Sequence, residues 1–181
     1  MANFILMQRY INIYPSVHKQ VDEPYVFREA TDKDLVAILN VFSDRETIYN
    51  YFGRDLTAEL VMDNILETFG LMEKKLGYSW IISHSVTGSI IGYASVNFGE
   101  ISYCIDKKFR RCGYGTRLIK LVLDALLSSL VDCSMEIRAY VLRNNIWSVQ
   151  LLESCEFRFM GLTKTTRFSD VSLHYTKLLS T

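Results

Sequence analysis

FRRCGYGTRL (residues 109–118) sets two arginines and two glycines, Gly113 and Gly115, at the mouth of an apolar-periodic segment. Leu118, Leu121, Val122, Ala125 and Leu126 repeat behind it at helical spacing, so the glycines stand at a helix N-terminus. Glycine weakens a helix, and its presence there asks for a reason. One reason is a tight turn. The other is a ligand that must come close to the backbone. A loop entering a helix presents free N–H groups. Together with the helix dipole they attract anions, phosphates above all. Arg110 and Arg111 would add charge-assisted donors. No Lys-Ser or Lys-Thr pair follows the glycines, which excludes a Walker A loop. Leu118 stands where the dinucleotide fingerprint needs its third glycine.

Working outward from this loop, YSWIISHS (78–85), IIGYASVNF (90–98) and EISYCID (100–106) read as three strands. TGS and Gly99 turn between them, so an antiparallel meander precedes the loop. MEIRAYV (135–141) alternates, with Met135, Ile137, Ala139 and Val141 on one face. Strand, helix and strand from 101 to 141 predict a βαβ unit with parallel neighbours. Further upstream, Tyr25 to Arg28 reads as a short strand. Thr31 caps a helix carrying Leu35, Ile38, Leu39 and Phe42, and Thr57 caps a second that ends near Gly70 or Gly77. Between them SDRETIYNYFGRDLTAE (43–59) is aromatic, charged and broken by Gly53, and it is assigned no element. Downstream come a short helix from Asn145 to Ser154 and two strands, FRFMGL (157–162) and DVSLHYTKL (170–178). Residues 1–24 hold both prolines, Pro15 and Pro24, and show no periodicity. They are set apart as an N-terminal extension that packs on the domain or pairs at a sheet edge, ahead of a single domain over 25–181.

Composition narrows the function classes. Of 181 residues, 49% are hydrophobic and 22% charged, as in an ordinary globular domain. Twenty basic residues balance twenty acidic ones, which argues against a nucleic-acid binder. No apolar run is long enough to span a bilayer, and the N-terminus carries no secretory pattern. These readings predict a cytoplasmic protein. Cys104, Cys112, Cys133 and Cys155 form no C-x-x-C pair and no zinc-like spacing with histidine, so reduced thiols and no metal are expected. Cys112, beside Arg110 and Arg111, is read as a neighbour of the chemistry and not as its nucleophile.

Taken in order, these features resemble the GNAT superfamily of acyl-CoA N-acyltransferases. The family signature, Arg/Gln-x-x-Gly-x-Gly/Ala between fourth strand and third helix, is filled by Arg110, Gly113 and Gly115. NNIWSVQLLESCEF (144–157) resembles the family's later helix through Asn145, Ser148, Leu151, Leu152 and Phe157. SDRETIYNYF, Trp80 with Ile82, Ile91 with Gly92, Glu100 to Tyr103, and Asp170 with Tyr175 resemble the branch that includes the Rim-type ribosomal-protein N-terminal acetyltransferases. Three positions depart from the pattern: Glu156 replaces a glycine, Met160 a frequent glutamate, and Lys107 a common proline. The Glu156 turn is therefore expected to be built differently, and Met160 to signal a different acceptor.

The resemblance implies an α/β (α+β) fold, a mixed, mostly antiparallel central sheet flanked by helices. Its fourth and fifth strands would be parallel and splayed. It implies acetyl-CoA as co-substrate and no metal. The pyrophosphate would sit on the N–H groups of Arg111, Cys112, Gly113, Tyr114, Gly115 and Thr116. The strand edge near Tyr103, Cys104 and Ile105 would pair with the pantetheine amides as an added strand. Asn145 would steady that arm, and Ser148 would stabilise the leaving thiolate, because Leu152 stands where many relatives have a tyrosine. Glu100 is the first candidate for general base, with His84 and His174 as alternatives, and Tyr103 would position the acceptor. The acceptor amine stays open between a protein N-terminus, a polyamine, an amino acid and a drug amine. No nucleic-acid or membrane partner is expected, and the chain would be a monomer or a homodimer. From another class, a catalytically weak acyl-CoA-binding sensor or interaction module remains a second reading.

Overall fold

The computed structural model describes residues 20–22, 24–165, 168 and 171–180. Eight strands among them form one sheet in the order β1-β2-β3-β4-β5-β6-β8-β7. In chain order the elements are β1 (Gln20–Asp22), β2 (Tyr25–Glu29), α1 (Leu35–Val41), α2 (Arg45–Phe52) and α3 (Ala58–Glu73). Then follow β3 (Gly77–His84), β4 (Ile90–Asn97), β5 (Glu100–Ile105), α4 (Tyr114–Leu127) and β6 (Ser134–Leu142). The chain ends with α5 (Ile146–Ser154), β7 (Arg158–Thr163) and β8 (Ser172–Ser180). Every neighbouring pair is antiparallel except β5 and β6. The meander and the parallel βαβ unit legible in the sequence are therefore both present. β1 lies within the stretch set apart as an extension and pairs with the edge of β2.

The pleat sorts alternate residues onto two cores. On one face Trp80, Ile82, Ile91 and Ile137 pack against Leu118, Ile119 and Val122 of α4 and Leu152 of α5. On the other, Ile81, Tyr93 and Cys104 meet Ile38 and Val41 of α1, Tyr51 and Phe52 of α2, and Val61 and Ile65 of α3. The side chains of Trp80, Ile81 and Ile82 are all almost fully buried, although they alternate in direction. A strand covered on both faces reads as a continuous apolar run, as YSWIISH does.

Two local features bear on the sequence reading. The unassigned stretch 43–59 contains α2. Its N-cap is Asp44, whose carboxylate accepts from the Thr47 N–H at 3.0 Å and from the Thr47 hydroxyl at 2.5 Å. Gly53 ends it at φ 73°, donating its N–H to the Tyr49 carbonyl at 2.8 Å. The aromatic residues that obscured the helix are the ones it buries, Tyr51 and Phe52. The second feature is Glu156, at which a differently built turn was expected. It adopts a left-handed backbone, φ 61°, the region that favours glycine. Its carboxylate meets Lys177 Nζ at 2.9 Å, and the same ammonium donates to the Cys155 carbonyl at 3.0 Å, which holds the turn in place.

What positions the site is the junction of β5 and β6. They share a single register pair, Glu100 with Arg138. The Arg138 N–H donates to the Gly99 carbonyl at 2.8 Å, and its guanidinium to the Phe98 carbonyl at 2.7 Å. Phe98 and Gly99 both have positive φ, as a two-residue type I′ hairpin requires. Beyond this anchored apex the two strands part.

Candidate active site

The parting strands open a cleft of about 510 Å³. Its walls are β5 from Ile101 to Ile105 and β6 from Ala139 to Val141. α2 contributes Glu46, Thr47, Asn50 and Tyr51. The loop before α4 contributes Arg110, Arg111 and Gly113, and the first turn of α4 adds Gly115 and Thr116. α5 closes the remaining side with Asn145, Trp147, Ser148, Gln150, Leu151 and Ser154. The expected residues Tyr103, Cys104, Ile105, Arg110, Arg111, Gly113, Gly115, Thr116, Asn145 and Ser148 thus come together on one cavity. Glu100, Cys112 and Tyr114 are not among its lining residues. Glu100 sits at the apex, Cys112 is exposed, and the Tyr114 ring packs edge-on against Tyr25 and Phe109.

The loop is built as an anion cradle needs. The first helical bond of α4 runs from the Arg117 N–H to the Gly113 carbonyl, at 3.1 Å. The N–H groups of Tyr114, Gly115 and Thr116 therefore have no carbonyl one turn back. Gly113 has φ 81°, and a Cβ built there meets no atom within 4 Å. Its absent side chain leaves both backbone freedom and open space. Gly115 answers a different need: a Cβ there would lie 2.5 Å from Leu151 Cδ1. It lets α5 pack close against the first turn of α4.

Arg110, expected as a phosphate donor, lines the cleft and is engaged within the protein. Its guanidinium is turned to the start of α2, to Glu46 at 2.9 Å, Asp44 at 3.4 Å and the Thr47 hydroxyl, while Nε donates to the Ile105 carbonyl at 3.3 Å. Two carboxylates and two neutral acceptors take up four of its five N–H donors. Burial pushes the Asp44 carboxyl up, but the Thr47 bonds and the Arg110 charge outweigh it and hold it below its ordinary range. Arg111 instead lies over the Trp147 ring at 4.7 Å, a cation–π contact at the cleft mouth.

Deeper in, the Tyr103 hydroxyl and Ser148 Oγ are 2.5 Å apart. The Asn145 side chain caps α5 by accepting from the Ser148 N–H at 3.2 Å. Burial drives the Tyr103 phenol well above its ordinary pKa, against the Ser148 hydrogen bond. The Cys104 thiol is likewise pushed up by burial, so it stays protonated and is no nucleophile. Leu152 is wholly buried in the core, and Met160 is 55% exposed on β7, outside the cleft. Of the α2 residues, Tyr51 belongs with Tyr49, Phe52 and Arg54 to the segment that the resemblance places at the acceptor site, whereas Glu46, Thr47, Asn50 and Trp147 were not picked out from the sequence. The cap Asp44-x-x-Thr47 with the stop at Gly53 was the available signal for the first three, and the arginine-rich loop facing an aromatic for Trp147. Among the described residues no group of three or more His, Cys, Asp or Glu is arranged to hold a metal, and no helix is long and apolar enough to cross a membrane.

Residues 25–158 match the acetyltransferase (GNAT) domain family. Among curated proteins none matches the sequence significantly. Among solved structures, the ribosomal-protein-S5-alanine acetyltransferase from Vibrio fischeri superimposes with a TM-score of 0.73 at 17% identity, covering 90% of this chain and 97% of that one. The spermidine N-acetyltransferase from Vibrio cholerae, in complex with CoA and spermine, gives 0.68 at 18% identity, covering 87% and 97%. The phosphinothricin acetyltransferase from Sinorhizobium meliloti, in complex with acetyl-CoA, gives 0.65 at 17% identity, covering 86% and 89%. A family match across most of the chain, a sheet split at one parallel pair, and a glycine loop feeding a helix converge on one assignment: the chain belongs to the GNAT acetyltransferase domain family.

Proposed function

We propose that this protein transfers an acetyl group from acetyl-CoA to a primary amine by direct attack within a ternary complex. The observation that carries this reading is the cleft itself, bounded by two parallel strands that share one register pair and by a glycine-lined helix N-terminus at one end. The N–H groups of Tyr114, Gly115 and Thr116 hold the pyrophosphate, with open space at Gly113 for its approach. The edge of β5 at Tyr103, Cys104 and Ile105 takes up the pantetheine arm as an added strand, and Asn145 closes on it from α5. When bound, the thioester supplies the activated acyl carbon and a thiolate leaving group. A backbone N–H of β5 polarises the thioester carbonyl, where negative charge gathers in the transition state. The amine nitrogen bonds to that carbon as the C–S bond breaks. Ser148 donates to the departing thiolate, and the amine's surplus proton leaves to a base or to water. Holding amine and thioester in contact supplies much of the rate, so no strong base is needed. The acceptor is a protein N-terminus or a small-molecule amine.

Calorimetric titration with acetyl-CoA tests the first half of this reading, and saturable binding at one site per chain is expected. A panel of peptide N-termini, polyamines and amino acids, followed by release of free thiol, tests the second half. Binding without transfer to any amine would favour the sensor reading. Gly113→Asp should abolish binding, because it sets a carboxylate where the phosphate would lie. Unchanged binding in that variant, shown to be folded, would sink the phosphate-loop assignment.

A further inference from the structure

Ser148 has a partner that its proposed role does not account for. Tyr103 projects from the middle of β5 and Ser148 from the first turn of α5, and their hydroxyl oxygens meet at 2.5 Å across the cleft wall. Both residues line the cavity. We infer that Tyr103 is a positioning residue: its phenol donates to Ser148 Oγ, which leaves the serine proton directed into the cleft toward the leaving sulfur. This rests on the acetyl-transfer reading of the cleft.

The direction of donation follows from the chemistry of the two groups. A hydroxyl has one proton and two acceptor sites. A phenol is a stronger acid than an aliphatic alcohol, so in a mixed pair it is the better donor. Burial keeps the phenol protonated throughout the range in which an acetyltransferase is assayed, so it remains a donor there. A serine near a helix start commonly bonds its own backbone and is lost to chemistry. Here the hydroxyl instead meets a side chain from the sheet, while the backbone N–H of Ser148 is taken by Asn145. Once Oγ accepts from the tyrosine, the serine proton is the one left to give. The Tyr103–Ser148 pair thereby offers a proton donor to sulfur without the helix tyrosine of the relatives, whose place is held by buried Leu152.

The test needs no amine. CoA is bound to the wild-type protein, and the pKa of its thiol is read from the ultraviolet absorbance of the thiolate. A directed serine hydroxyl lowers that pKa relative to free CoA. Tyr103→Phe and Ser148→Ala should each raise it, by about 1 if one hydrogen bond of ordinary strength is lost. The double variant should raise it no further than Ser148→Ala alone, because the tyrosine acts through the serine. With an accepted amine, the same variants should lower kcat about tenfold and leave the KM for acetyl-CoA unchanged. Tyr103→Met removes the same hydroxyl with an adaptable side chain, should the phenylalanine variant not fold. A thiol pKa unmoved by loss of the tyrosine hydroxyl, or losses that add in the double variant, would overturn the inference and leave the acetyl-transfer reading intact. Failure of the wild type to bind CoA would overturn both.

Discussion

Gly113 and Gly115 stand one residue apart and are glycines for unrelated causes. Gly113 needs its left-handed φ and faces open space. Gly113→Ala should cost about 1 kcal/mol of stability through backbone strain alone. Gly115 faces the terminal Cδ1 methyl of half-buried Leu151, so Gly115→Ala should change stability by less than about 1 kcal/mol, the displaced methyl set against better helix propensity. Urea denaturation of the wild type and the two variants checks both values. The loop motif showed where both glycines fall but not why, because the partner of Gly115 lies far along the chain. Asp34 carries a pH prediction of its own. Burial pushes its carboxyl up, yet the Arg28 guanidinium at 2.6 Å and the Thr31 bonds prevail and hold it below its ordinary value. A depressed pKa contributes stability above the unfolded value, near about 3.9, and that contribution fades as pH falls through the folded value. Asp34→Asn should therefore destabilise the protein at neutral pH and flatten its acid limb below about pH 4. Stability measured against pH in both proteins checks the sign.

α2 shows how an element can be hidden and yet tightly specified. Its apolar stripe is aromatic and only two turns long, which blurs helical periodicity, while its cap and its glycine stop are explicit. The structure adds what no local pattern carries: Arg110 reaches from the cofactor loop to the Asp44 cap and to Glu46. The signature arginine thus tethers one wall of the cleft to another. Arg110→Ala should speed hydrogen exchange over residues 45–52 and cost about 1–2 kcal/mol. Arg110→Lys should not restore the loss, since a point charge cannot span three acceptors. By contrast β3, β4 and β6 were legible almost to their ends, because alternation and turn residues both marked them. Glu156 lay between these cases. Its departure from glycine was visible, but the Lys177 partner that holds the turn was not.

At the scale of the molecule, the sheet is two antiparallel halves, β1 to β5 and β6 with β8 and β7. The sequence announced their parallel junction through the βαβ unit. Its narrowness came from the resemblance, since nothing in the alternation of β5 or β6 says where pairing stops. α4 packs on β3, β4, β5 and β8 and so crosses the junction on one face. A ligand that bonds to both diverging strands should slow hydrogen exchange at 101–105 and 139–142 together. At a hundredfold excess over its Kd it should add about 2.7 kcal/mol of stability, read as a higher Tm.

One residue pair at the middle of an eight-stranded sheet is a seam. Where the ladder stops, backbone hydrogen bonds no longer carry cooperativity directly from one half to the other. What couples the two halves across the seam is the core under α4, where Trp80, Ile82 and Ile91 meet Ile137 and Tyr175. Arg138, bonded to Phe98 and Gly99, is the stitch between them. A ligand bonded to both strands would add a backbone link where the ladder lacks one.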